Sequence, residues 1–144
     1  MKLRTLLLTA TALTGFAHIA AAGDLSFTAV AAPTEDAIKR SVVAMASAMM
    51  DCEHVIAGAA LIGGITYFHA YAYDLLATNE RIMASTCDAA IRAHRQGKLK
   101  KVTYLSSSMV FESTDHWPSA EGDERKIAPP LSSYGFQKLA VEYF

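Results

Sequence analysis

The chain lacks the residue spacings that mark metal sites and disulfide frameworks. It has two cysteines among its 144 residues, Cys52 and Cys87. Their separation fits neither a zinc motif nor a paired disulfide pattern, so we expect both to be small buried thiols. The five histidines show no His-x-x-x-His or other ligand spacing. We therefore expect the protein to bind no metal.

An excess of charge of one sign is also missing. The 13 basic and 14 acidic residues give a formal net charge of -1, which leaves no field to steer the protein to nucleic acid or to an anionic membrane. The one basic cluster, residues 98–101, is short. We therefore expect neither nucleic acid nor a membrane as partner. The hydrophobic content of 52% is instead what a packed globular core needs, and the length suits one domain.

Residues 1–22 allow two interpretations. A basic start, a mostly apolar stretch and small residues at positions 20–22 are typical of a cleaved signal peptide, which would make the protein exported. The alternative is a degenerate first strand over residues 4–9, then a turn and a short helix, in a cytoplasmic protein. Gly15 is the only glycine near that turn, whereas a pyrophosphate cradle has several. The segment is too short and too rich in small residues for a membrane span.

The pattern of residues 23–144 predicts strands and helices of one α/β domain. Residues 26–31 alternate weakly as a strand does, and Thr34 is placed to cap a helix over residues 37–50 with methionines in the core. Residues 53–64 form an apolar run that ends in small residues and a glycine pair, which predicts a buried parallel strand entering a tight loop. Ligands bind at such strand ends in open α/β sheets.

A second strand follows a long amphipathic helix. Apolar residues recur at helical spacing over residues 71–95, and Gly97 supplies the stop. Residues 101–107 then read as a strand. Strand, helix and strand within roughly 55 residues predict the right-handed crossover unit of a parallel sheet.

The end of the chain pairs a phenol with an amine. Residues 115–130 read as a loop, and Ser132 or Ser133 caps a final helix that runs to the end. Tyr134 and Lys138 lie just over one helical turn apart on that helix. They project from the same face and can act on one bound molecule.

Four segments together resemble the extended short-chain dehydrogenase/reductases, and more narrowly the NAD-dependent epimerase/dehydratase family acting on nucleotide sugars. They are residues 55–60, residues 106–111, the loop with Pro118 and Glu121, and residues 134–142. The likeness covers roughly residues 51–144. It implies a partial Rossmann-like fold, with a doubly wound parallel sheet in three layers, and NAD or NADP as cofactor. We accordingly take residues 23–144 as a partial NAD(P)-binding domain.

The resemblance assigns roles to individual residues. Tyr134 would be the general acid/base. A free phenol titrates near pH 10, so Lys138 would assist it electrostatically while donating to the ribose hydroxyls of the cofactor. Ser107 lies three residues before Val110, the aliphatic member of the family's Val-aromatic pair, and would donate a hydrogen bond to the reacting oxygen. The positions expected to flank the cofactor are Gly58, Ala59, Ala60, Leu61 and Asn79.

The residues after Ser107 help to choose a reaction. Relatives that dehydrate sugars carry an Asp-Glu pair there, and epimerase-reductases carry a Cys, whereas this chain has Ser108 and Met109. Neither can move a proton at carbon. The resemblance therefore favours hydride transfer at a carbinol, as in 4-epimerisation or simple oxidation and reduction.

Departures from the family pattern leave a second function open. No Gly-x-x-Gly-x-x-Gly precedes residue 58, no acidic residue follows a convincing second strand, and the chain ends before the family's substrate-binding portion. We therefore expect an incomplete member. It is either an active enzyme or a truncated, non-catalytic Rossmann-like remnant or binding module. The exposed sheet edges and apolar faces of such a chain leave a homodimer open.

Overall fold

A four-stranded, mainly parallel sheet organises the fold. The computed structural model describes residues 5–10, 17–20, 35–62 and 70–144. The strands β1 (Thr5–Ala10), β2 (Ala17–Ala20), β3 (His54–Ala57) and β4 (Lys101–Tyr104) lie in the order β2-β1-β3-β4. Strands β1, β3 and β4 are parallel, in a register that aligns Leu6 with Val55 and Val55 with Val102. The expected α/β class with a parallel sheet is confirmed, while its three-layer arrangement stays a prediction.

The start of the chain contributes two strands. Residues 5–10 form β1, where one of the two interpretations places a strand, but residues 17–20 form β2 and not the short helix expected there. β2 pairs antiparallel with β1. Cleavage as a signal peptide stays a prediction.

In the part of the chain that the structure describes, three α-helices accompany the sheet, and two of them were predicted nearly to their ends. Helix α1 (Glu35–Met49) and helix α2 (Ala72–Gln96) match the patterns at residues 37–50 and 71–95. The buried residues of α1 recur every three or four positions: Val42, Met45, Ala46 and Met49. The expected cap at Thr34 and the expected strand at residues 26–31 lie outside the described residues.

Contacts divide the chain into two compact units. The first comprises Met1–Leu61 and Arg81–Leu105, and the second comprises Ile62–Glu80 and Ser106–Phe144. In the first unit, residues of α1, β3 and the C-terminal part of α2 share one hydrophobic core. Gly97 ends α2 where a Cβ atom would lie 2.5 Å from the Met50 carbonyl oxygen. The backbones therefore meet more closely there than any side chain would allow.

Polar contacts also stabilise the first unit. Lys98 and Lys100 at the start of β4 pair with Asp51 and Glu53, at 3.3 and 2.7 Å. Cys52 is buried as expected. The prediction for Cys87 is wrong, because this thiol is only half-buried, and its Sγ lies 3.1 Å from the Tyr104 hydroxyl.

The later segment of the second unit, Ser106–Phe144, follows the end of β4. The prediction of a strand through residue 107 is wrong, because β4 stops at Tyr104 and a 3-10 helix, Ser108–Phe111, follows. The neighbouring strand β3 ends at Ala57, whose carbonyl accepts a last bond from the Leu105 N–H at 3.1 Å. Beyond it, the described residues provide no strand with which this backbone pairs. The third helix, α3 (Ser133–Glu142), closes the unit. In the described part of the chain, no helix is both long and apolar enough to cross a bilayer.

Candidate active site

Ser107 stands at the junction between the end of β4 and the 3-10 helix. Its backbone is extended, with φ -152° and ψ 150°, and its hydroxyl oxygen accepts a bond from the Met109 N–H at 3.2 Å. It therefore caps the 3-10 helix. Since the oxygen acts as acceptor in this bond, the hydroxyl proton remains available for donation to another oxygen.

Helix α3 is fixed against this 3-10 helix at its first turn. Ser132 is the N-cap, and its hydroxyl accepts from the Gly135 N–H at 3.0 Å, which decides between the two serines expected to cap. A Cβ atom at Gly135 would lie 2.7 Å from the Met109 carbonyl oxygen. Only glycine lets the two backbones approach this closely. This contact places Gly135, which follows Tyr134, against Met109, which lies two positions after Ser107.

Tyr134 and Lys138 project from α3 one turn apart, as predicted. Both are buried, with 7% and 6% of their surface exposed. The Lys138 Nζ lies 5.7 Å from the centroid of the Tyr134 ring. Burial lowers the pKa of the Lys138 amine from its ordinary value, because desolvation disfavours the charged form. A phenol and an amine therefore share one poorly hydrated environment.

Sequence reasoning missed a polar contact at the other end of α3. The Ser106 hydroxyl donates a hydrogen bond to a carboxylate oxygen of Glu142. Glu142 follows Lys138 by one helical turn, and this spacing is the only signal of its position that the sequence holds. Its partner, 36 residues earlier, could be identified only from the tertiary structure.

Two glutamates shape the loop between the 3-10 helix and α3. Glu112 accepts a bond from the Ser132 N–H at 2.8 Å, next to the helix cap. Glu124 is buried and accepts from the Gly122 N–H at 2.9 Å, while Arg125 Nε lies 3.3 Å from its carboxylate. These bonds order a segment that the sequence predicts only as a loop. Among the described residues, no three His, Cys, Asp or Glu side chains group as metal ligands would.

The residues expected to flank a cofactor fall in both units. Gly58, Ala59, Ala60 and Leu61 follow β3 in the first unit, where Gly58 and Ala59 are half-buried and the next two are buried. Asn79 lies on α2 in the second unit with 2% of its surface exposed. Small residues after the carboxyl end of a parallel strand fit the close approach of a flat ligand. The roles of all five residues stay predictions.

Comparison with known proteins tests the resemblance directly. No curated protein matches the chain. The model of the NAD dependent epimerase/dehydratase family matches residues 15–144, which include the end of β3, Ser107 and the whole of α3. That match spans nearly all of the sequence and agrees with the α/β architecture around a parallel sheet. The chain therefore belongs to the NAD-dependent epimerase/dehydratase family, whose fold is Rossmann-like.

Proposed function

We propose that the chain is an NAD(P)-dependent epimerase or oxidoreductase that transfers a hydride at a carbinol of a nucleotide sugar. Ser107, Tyr134 and Lys138 form its acid-base site. Family membership supports nicotinamide chemistry in general. The observation that carries the finer proposal is the buried pair on α3, with the Lys138 Nζ 5.7 Å from the Tyr134 ring centroid.

Tyr134 takes the proton of the reacting hydroxyl or returns one to the carbonyl. A phenol does this near neutrality only if its anion is stabilised, and a positive amine close by supplies that stabilisation. The attraction is stronger here than in water because both side chains are buried. Burial alone lowers the pKa of Lys138, and a phenolate beside it counteracts this by favouring the charged amine.

Ser107 supplies a hydrogen bond to the reacting oxygen. Its own oxygen is occupied as acceptor by the Met109 N–H, so the hydroxyl can donate while its orientation is held. Ser108 and Met109 beside it offer no group that moves a proton at carbon. The proposal is therefore hydride transfer without dehydration, and the nucleotide-sugar substrate rests on the resemblance of the motifs.

Part of the cofactor's environment fits the residues present. Gly58, which has no side chain, and Ala59, which has only a methyl group, follow β3 and are half-buried, so they permit the close approach of a ribose or a nicotinamide ring. When bound, NAD or NADP supplies the hydride acceptor. Lys138 would donate to its ribose hydroxyls, as the family pattern implies. Asn79 is buried, and its place beside the cofactor stays a prediction.

Turnover by paired tyrosine variants tests the proposal. The chain is incubated with NAD or NADP and a panel of nucleoside-diphosphate sugars, and products are separated by chromatography while reduced cofactor is read by absorbance. Tyr134→Phe is expected to lower kcat by about a hundredfold or more, the usual worth of a general acid/base. Tyr143→Phe is the matched control, because this exposed tyrosine caps the same helix. The proposal fails if the wild-type chain turns over none of the substrates with either cofactor, or if both variants keep full activity.

A non-catalytic remnant or binding module is the second candidate. The absence of a Gly-x-x-Gly-x-x-Gly segment before residue 58 favours it, because such glycines let backbone approach a pyrophosphate. Calorimetry with NAD and NADP distinguishes the candidates. Heat of binding together with turnover supports the enzyme, whereas no binding at millimolar cofactor supports the remnant.

A further inference from the structure

Helix α3 is tied at both ends to the segment that carries Ser107. At its first turn, Gly135 lies against the Met109 carbonyl oxygen, with 2.7 Å from that oxygen to an added Cβ. At its last turn, Glu142 accepts a hydrogen bond from Ser106. These two attachments lie on either side of Ser107 in the chain. All the residues involved belong to the second unit.

Along α3, Tyr134 lies directly before the first attachment, and Lys138 lies between the two. Tyr134, Lys138 and Glu142 follow one another at intervals of four residues, so they lie on the same side of the helix. Eight residues of helix span about 12 Å. Gly135 holds the first turn and the buried Leu139 packs the middle of the helix, while the solvent-exposed bond at Glu142 adds an attachment at the last turn.

The bond to Ser106 also fixes the neighbouring serine. The backbone at Ser107 is extended, and successive side chains of an extended segment project to opposite sides. Anchoring the Ser106 side chain therefore sets the direction in which Ser107 projects. Ser107 also accepts bonds from the Met109 N–H at its hydroxyl, at 3.2 Å, and from the Val110 N–H at its carbonyl, at 3.1 Å; both are local and set no distance to α3.

We propose that Glu142 is a positioning residue of the acid-base site. Through Ser106 it holds Ser107 in register with Tyr134 and Lys138, and it does not itself touch the substrate. The inference rests on the proposed function for its effect on turnover. The attachment itself does not depend on turnover and has its own measurable consequence, the protection of the amides that follow Ser107.

Amide hydrogen exchange and kinetics on one set of variants test this inference. The set comprises Glu142→Ala, Ser106→Ala, the double variant and Glu142→Gln, whose amide oxygen can still accept the bond. Ser113→Ala is the matched control, because its hydroxyl donates to the Pro129 carbonyl at 3.0 Å in the same unit. Exchange is read at the Met109 and Val110 amides, both of which bond to Ser107.

Loss of the Ser106 bond is expected to speed exchange at these two amides by about tenfold. The same variants are expected to lower kcat by about tenfold to a hundredfold, with KM for the cofactor unchanged, because a shift of about 1 Å at the site has effects of this size. The double variant should change amide exchange and kcat no more than either single variant does, since the two residues act through one bond. Glu142→Gln should recover most of both effects, and Ser113→Ala should show neither.

Separate outcomes overturn this inference and the proposed function. Exchange at Met109 and Val110 that is equal in Glu142→Ala and wild type overturns the positioning role, whether or not the chain turns over a substrate. Faster exchange with unchanged kcat overturns it as well, as does additivity in the double variant. If the variants show faster exchange than the wild type but the wild type turns over no substrate, the proposed function is contradicted and the attachment of Glu142 to Ser106 is retained.

Discussion

Gly135→Ala tests the close approach on which the candidate site depends. In an ordinary helix position this change stabilises by about 1 kcal/mol, because glycine loses more backbone entropy on folding. At Gly135 the added Cβ would lie 2.7 Å from the Met109 carbonyl oxygen, 2.8 Å from the Pro130 Cβ and 3.0 Å from the Ser132 Oγ. Favourable contacts between carbon atoms lie at about 3.5–4.0 Å, so α3 or the 3-10 helix must move.

The expected cost outweighs the gain in helix propensity. Overpacking of this kind costs about 1–3 kcal/mol, and disturbing the Ser132 cap costs about 1 kcal/mol more. After subtracting the propensity gain, we expect Gly135→Ala to lower the free energy of unfolding by about 1–3 kcal/mol. The change should also lower turnover, because the backbone next to Tyr134 shifts relative to Met109.

Urea unfolding followed by circular dichroism measures this cost. With a denaturant slope of about 2 kcal/mol per molar, a loss of about 2 kcal/mol lowers the midpoint by about 1 M. Gly122→Ala is the matched control. Gly122 has φ 90° and nothing within 4 Å of an added Cβ, so its cost is the backbone strain of about 1–2 kcal/mol, without an effect on turnover. A midpoint for Gly135→Ala equal to or above that of the wild type would refute the reasoning.

Two pH dependences follow from buried groups. Burial lowers the pKa of Lys138 below its ordinary 10.5. Between the lowered pKa and 10.5 the unfolded chain therefore binds more protons than the folded chain, so folding becomes more favourable as pH rises. Over that range the wild type should gain thermal stability relative to Lys138→Met. Lys126→Met is the control, because the pKa of Lys126 is shifted in the opposite direction: the hydrogen bond to Asp123 raises it. The stability that Lys126 contributes is therefore lost only above pH 10.5. Burial, reinforced by the Cys87 thiol, raises the pKa of Tyr104 above its ordinary 10.0, so the unfolded phenol ionises first and stability falls above pH 10. Tyr104→Phe should cost about 1 kcal/mol at pH 7 but lose less stability than wild type between pH 8 and 10.5. Equal losses in urea unfolding would contradict this.

The elements that the sequence predicted are those encoded by local patterns. Helix α2 follows from a long amphipathic stripe and its glycine stop, and the Ser132 or Ser133 cap from a hydroxyl before a helical run. Strand β3 follows from an apolar run closed by small residues. Each signal lies within a few residues of the structure it predicts. Tyr134 and Lys138 share a face of α3 for the same reason.

The elements that were missed depend on partners distant in sequence. β4 ends at Tyr104 because β3 has ended beside it, although the sequence predicts a strand through residue 107. Ile91 belongs to the predicted apolar stripe of α2, yet 47% of its surface is exposed. The bond between Ser106 and Glu142 joins residues 36 positions apart. No local pattern specifies such contacts, so the sequence indicated which residues could react but not what holds them in place.

The buried amine of Lys138 separates the two candidate functions by physical argument. Burying an ammonium group costs stability unless its surroundings compensate, and methionine would fill the same space without that cost. A binding module that uses α3 only as a packing element gains nothing from the charge. An acid-base enzyme needs it, because the phenol beside it works near neutrality only with a cation close by. If Lys138→Met keeps stability at pH 7 while turnover disappears, the amine serves catalysis; if turnover was absent from the start, the same result identifies a remnant that retains a group it does not use.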